Sequence, residues 1–129
     1  MTFENMAPVQ QGSVGLGLAI AYFVSNGFVV SIPLNDNQSY DLIVDKNGLK
    51  KVEVKSTRFK IRNQNVYTVQ LKSVRSNKTK NVIRKFDGNK VDYLFIVAEN
   101  GDKYLLPANI AHGKNSLSLG KQLDEYKVL

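Results

Sequence analysis

The sequence contains no cysteine, no tryptophan and a single histidine. Without cysteine it forms no disulfide, carries no thiolate nucleophile and builds no Cys-bearing zinc site. His112 alone rules out a multi-histidine metal site, and its place in a Gly- and Asn-containing loop makes it a poor member of a hydrolase triad. Carboxylates, amides, one imidazole and backbone carbonyls are the metal ligands that remain. A reducing, intracellular and cytoplasmic home is expected. Long apolar runs are missing too. Gly15 to Val24 is half of the ~20 residues a bilayer span requires, and Ser25, Asn26 and Gly27 interrupt it, so no membrane partner is expected. No basic leader precedes that stretch and no small-residue cleavage site follows it, which argues against a secretory signal. Acids are scarce: 11 Asp and Glu face 18 Lys and Arg, a net charge of +7 that favours a polyanionic partner.

What remains is enough for one domain over residues 1–129, with 43% hydrophobic residues to enclose a core. The charge is uneven. Lys50 to Lys90 holds thirteen basic residues against Glu53 and Asp87, a net +11, while the rest of the chain sums to −4. A basic run taken alone is as readily a solvated surface as an electrostatic footprint.

Ser13 to Asn26 reads as a helix, capped by Ser13 and ended by Gly27. It is apolar nearly all round, so cover on more than one side is expected. Gly12, Gly15 and Gly17 open it without a preceding strand and in the wrong spacing for a dinucleotide loop, so no small organic cofactor is expected and helix packing explains them better. Strands are predicted at Phe28 to Pro33, Tyr40 to Asp45, Leu49 to Thr57, Val66 to Lys72 and Val91 to Ala98, with Lys103 to Leu106 the hairpin partner of the last across Asn100-Gly101. Ser73 to Asp87 is basic and weakly patterned. Ser116 to Tyr126 has an ambiguous period and reads as a docking helix. The order suggests an α/β sandwich with a mixed sheet.

The hairpin Tyr40 to Thr57 carries the chemistry. If Lys46, Asn47 and Gly48 form a three-residue loop with Gly48 left-handed, paired positions sum to 94 and Asp41 lies opposite Glu53. Asp41, Glu53 and Lys55 then share one strand face, while Leu42, Val44, Val52 and Val54 share the other. A two-residue Asn47-Gly48 turn would instead send Asp41 to the face opposite Glu53. Opposed carboxylates repel and need a compensating cation. Mg²⁺ suits two carboxylates plus a backbone carbonyl, that of Val54, with Mn²⁺ as the substitute. Lys55 can hold an attacking water or offset charge on a phosphate oxygen. A Glu-x-Lys triplet by itself is a common cross-strand ion pair, and an in-register Asp41 and the basic surroundings each add only weak support for a site of phosphodiester hydrolysis.

Tyr40-Asp41 followed by Glu53-Val54-Lys55 resembles the PD-(D/E)xK nuclease motif, with Tyr40 where the motif has proline. Gly15 to Val24, Asn26-Gly27-Phe28, Ile32-Pro33-Leu34, Val91-Asp92-Tyr93 and Leu106-Pro107 extend the likeness to group I intron-associated homing-type endonucleases and, more distantly, to archaeal-type Holliday junction resolvases. The resemblance implies a restriction-endonuclease-like core, a mixed β-sheet with flanking helices. It implies Asp41 and Glu53 as metal ligands, Lys55 as the catalytic lysine, and Gln70, on a strand face with Thr68 and Lys72, as a further catalytic residue. Many relatives have glutamine in place of Glu53. Relatives often add an acid from the first helix, which Gly15 to Leu18 do not provide, and Glu4 is the substitute if the N-terminus folds back. The activity so implied is Mg²⁺-dependent DNA cleavage by metal-activated water in a homodimer, with a structure-specific resolvase or a catalytically decayed DNA-binding module as alternatives. Lys51, Arg58, Lys60, Arg62, Lys72, Arg75, Lys78, Lys80, Arg84 and Lys85 are the candidate DNA contacts.

Overall fold

The structure, a computed structural model, describes the chain apart from residues 1, 2, 4, 36 and 77–80, and describes 74–76 and 81–82 as backbone alone. Glu4, Lys78 and Lys80 therefore lie outside the described residues, as does the side chain of Arg75.

Helix α1 (Pro8–Ser25) begins five residues earlier than the sequence predicts. Pro8 at the first helical position is pre-set for the helix, and the Gln10 side chain accepts the Ala7 N–H at 3.3 Å. Ser13 is thus interior and donates its hydroxyl to the Val9 carbonyl. Gly27, at φ +86°, ends the helix as predicted. Lys46 donates to the Asn26 carbonyl at 2.9 Å, a cation placed where the helix dipole favours one. Gly15, Ala19 and Phe23 face the sheet, and a Cβ on Gly15 would lie 3.3 Å from that of Ser56, so the helix rests close against its strand. Cover comes from one side. Val9 and Val24 stay exposed on the outer face, where Gly17 and Ala21 leave little apolar area to bury.

Six strands form the main sheet in the order β1 (Val29–Ser31), β2 (Leu42–Asp45), β3 (Leu49–Thr57), β7 (Tyr93–Ala98), β8 (Lys103–Pro107) and β10 (Lys127–Val128). The β3–β7 pair is parallel and the other pairs are antiparallel, so the sheet is mixed as expected. Alternation divides the core. Leu42, Val44, Val52, Phe95 and Val97 turn to α1, joined by Phe3, whereas Leu94, Ile96 and Leu106 turn to the other side. That second side is covered by the ribbon of β4 (Thr68–Gln70) and β9 (Ser116–Ser118), together with short 3₁₀ turns at Ala108–Ala111 and Lys121–Tyr126. The expected C-terminal docking helix is therefore a strand and a 3₁₀ turn. Ser73 to Asp87 holds an element that its sequence pattern does not announce: β5 (Ser73–Ser76) and β6 (Asn81–Arg84) pair antiparallel. Among the described residues α1 is the one α-helix, so a single helix flanks the sheet.

Candidate active site

The β2–β3 register sums to 94, from Asp45 opposite Leu49 to Leu42 opposite Val52, as the three-residue loop requires. The left-handed residue of that loop is Asn47, at φ +67°, rather than Gly48, which takes φ +144° and donates its N–H to the Asp45 carboxylate at 3.1 Å. Both values favour the residues present.

The register does not continue to Asp41. Leu42 pairs with Val52, and Asp41 donates its N–H to the same Val52 carbonyl at 2.9 Å, so two residues oppose one, as in a β-bulge. Asp41 is thereby released from the face of Glu53. Its carboxylate turns to the edge of β3 and accepts the Val54 N–H at 2.7 Å, taking the place of the ladder bond that β2 stops short of making. Asp41 lines a hollow of about 280 Å³ with Gly12, Ser13, Leu16 and Val54 on the helix side. Glu53 and Lys55 remain on the opposite face, 3.3 Å apart, in a larger hollow of about 480 Å³. The two carboxylates thus bracket the Val54 peptide instead of opposing one another directly.

Glu53 still senses the Asp41 charge. Burial raises the pKa of Glu53 above its ordinary 4.5, the Lys55 ammonium opposes that rise, and the Asp41 charge adds to it. Among the described residues no group of three or more His, Cys, Asp or Glu could hold a metal, so two carboxylates and a peptide carbonyl are the oxygen donors on offer here. Within a strand the N–H and C=O of one residue point the same way, which turns the Val54 carbonyl to the edge that Asp41 occupies.

Other residues named from the sequence are dispersed. Gln70 is not brought to Glu53 and Lys55. Its strand pairs with β9 outside the main sheet, and with Thr68, Lys72 and Phe59 it lines a separate hollow of about 300 Å³, while the alternate residues Leu71 and Ser73 face the larger one. Arg58 donates to the Phe3 and Met6 carbonyls at 3.3 and 3.2 Å, which ties the N-terminal segment down instead of presenting a cation to solvent. Lys51 lies over the Tyr40 ring, and Lys60 lies over Tyr67 and bonds Asn65 at 2.9 Å. Arg62 is exposed. Arg84 and Lys85 do line the Glu53–Lys55 hollow, and Lys90, which no motif marks as a DNA contact, joins them. So do Asn37, Gln38 and Ser39, which precede the bulge at Asp41 and which no motif marks. His112 is exposed as expected, and its Nδ1 accepts the Gly88 N–H at 3.0 Å.

The family profile of PD-(D/E)XK endonucleases matches residues 6–124. The chain belongs to this family. In structure the endonuclease is similar to the bacterial homing endonuclease I-Ssp6803I, at a TM-score of 0.78 and 28% identity, over 89% of this chain and 79% of that one. No curated protein sequence matches. No helix among the described residues of the endonuclease is long and apolar enough to cross a membrane.

Proposed function

We propose that this endonuclease is a homing-type enzyme whose single nuclease domain hydrolyses DNA phosphodiesters with Mg²⁺, at Asp41, Glu53 and Lys55, and acts as a homodimer. The observation that carries this reading is the pair of carboxylates around the Val54 peptide, one on its N–H at 2.7 Å and the other made more basic by burial. An all-oxygen donor set with excess negative charge fits a hard divalent ion. Asp41 and the Val54 carbonyl, at the edge of β3, would hold Mg²⁺, or Mn²⁺ in its place, with Glu53 joining them once its side chain turns from its own hollow to that edge. When bound, that ion supplies Lewis acidity toward water and a phosphate oxygen.

The chain's own groups do the rest. The Val54 N–H orients the Asp41 carboxylate. Lys55, drawn to Glu53, directs its ammonium into the hollow, where it offsets charge building on a phosphate oxygen and orients the attacking water. Arg84, Lys85 and Lys90 attract the backbone toward that point. Gln70, in its separate hollow, is left out of this machinery. One such site cuts one strand, and cutting both requires two copies whose two-fold matches that of the duplex.

Supercoiled plasmid tests the reading. Wild-type protein is expected to nick and linearise it in Mg²⁺ and to stop in EDTA. Asp41→Asn, which keeps an acceptor for the Val54 N–H, and Lys55→Ala are each expected to lower the rate by about 10²–10³ while still binding DNA. Undiminished cutting by Asp41→Asn ends the proposal. A decayed DNA-binding module is favoured by one observation: α1 turns Gly12, Ser13 and Leu16 toward Asp41, and no acid. That reading prevails if neither linear duplex nor a four-way junction is cut and titration with Mg²⁺ or Mn²⁺ releases no heat. Preference for the junction over the linear duplex would indicate a resolvase.

A further inference from the structure

Topology sets two chemically different walls beside Glu53 and Lys55. Strand β3 has β2 on one side and β7 on the other. β2 runs antiparallel to β3 and begins beside Val52, and β7 runs parallel to it and begins beside the same residue. The loop that enters β2 therefore comes from the C-terminal side of Val52 along β3 and the loop that enters β7 from its N-terminal side, on opposite flanks, and residues of both line one hollow. The first brings Asn37, Gln38 and Ser39 to the 480 Å³ hollow, and the second, together with the end of β6, brings Arg84, Lys85 and Lys90. Among the described residues one wall is neutral, made of two amides and a hydroxyl. The other is cationic on balance, three basic groups against the carboxylate of Asp87, and Glu53 and Lys55 lie between the two walls.

These chemistries act differently on a duplex. Guanidinium and ammonium groups attract phosphates whatever the bases are. An amide carries donor and acceptor together, the combination that pairs with base edges, adenine above all. The Gln38 amide nitrogen donates to the Asn37 side-chain oxygen at 3.4 Å, which sets the two amides side by side.

We propose that the Asn37–Ser39 wall reads base pairs next to the scissile phosphate, while Arg84, Lys85 and Lys90 hold the backbone without regard to sequence. This rests on the reading of the hollow as the cleavage site and adds to it where specificity resides. Asn37 and Gln38 are exposed loop residues, so their substitution leaves the packed sheet untouched.

The test is selection of bound duplexes from a randomised library by the full chain in EDTA, followed by sequencing, with cleavage of the same library in Mg²⁺ run in parallel. Asn37→Ala and Gln38→Ala are expected to change base frequencies about fivefold or more at one to three adjacent positions. Arg84→Ala and Lys85→Ala are expected to weaken binding to every sequence alike and to reduce the slope of log K against log salt by about 0.9 for each phosphate no longer neutralised. A wild-type base profile from both amide variants, a loss uniform over all sequences, or no sequence preference in the wild-type protein would overturn the proposal. A shifted binding profile without any cleavage would instead overturn the nuclease reading and leave the base-reading wall standing.

Discussion

Glu53 holds its proton more tightly in the folded protein than in the unfolded chain, because burial outweighs the help of Lys55. For an acid shifted upward, the favourable contribution to folding is complete below the ordinary pKa of 4.5 and is lost as pH rises through the raised value. Glu53→Gln is therefore expected to stabilise the metal-free protein at pH 7, and the gain should shrink to nothing as pH falls below about 4.5. Thermal unfolding in EDTA across pH 4–8 checks the sign. Arg58 illustrates the opposite relation between sequence and role. A basic residue in a basic region reads as a phosphate contact, yet its guanidinium holds two carbonyls of the segment that delivers the fully buried Phe3. Arg58→Ala is expected to lower stability by about 2 kcal/mol, read from urea unfolding, and to leave the salt slope of DNA binding unchanged.

At the scale of elements, legibility follows the strength of the apolar pattern. Strand β3 occupies Leu49–Thr57 as predicted, and β7 with β8 forms the hairpin expected across Asn100-Gly101. In these segments side-chain alternation, β-branched residues and turn residues agree. The β5–β6 ribbon is not legible because its strands, Ser-Val-Arg-Ser and Asn-Val-Ile-Arg, are too short to show a sustained apolar alternation, and pairing between them supplies what pattern does not. The start of α1 is misleading in sequence because Ser13 has the chemistry of a cap, whereas Pro8 sets the first turn five residues earlier. Gly88 shows how an element far from the motif positions the cationic wall. A Cβ there would lie 2.5 Å from the Ala108 carbonyl oxygen, so the loop carrying Arg84 to Lys90 is pressed against the 3₁₀ turn. Gly88→Ala is expected to cost about 1–3 kcal/mol in urea unfolding and to weaken DNA binding as the wall shifts.

For the whole molecule, the proposed single cleavage site per chain has a stoichiometric consequence. If two copies cut the two strands, mixing wild-type protein with an excess of Lys55→Ala should convert plasmid linearisation into nicking, because mixed dimers hold one competent site. Nicked and linear products on a gel, measured against the mixing ratio, report this directly. Linearisation that falls only in proportion to the wild-type fraction, with no nicked product, would show that each copy works alone.

Legible in the chain alone were local facts: a hairpin with a two- or three-residue loop, the alternation that puts Glu53 and Lys55 on one face, and a charge balance that favours a polyanion. Each depends on neighbours along the chain. Tertiary structure decided the rest. The shared Val52 carbonyl moves Asp41 to the strand edge, the β4–β9 pairing draws Gln70 away, the buried N-terminal segment engages Arg58, and the order β2-β3-β7 brings an amide wall and a cationic wall to the same hollow. These depend on which distant segments pair, and the pairing is settled by the packing of both sheet faces rather than by any short stretch of residues.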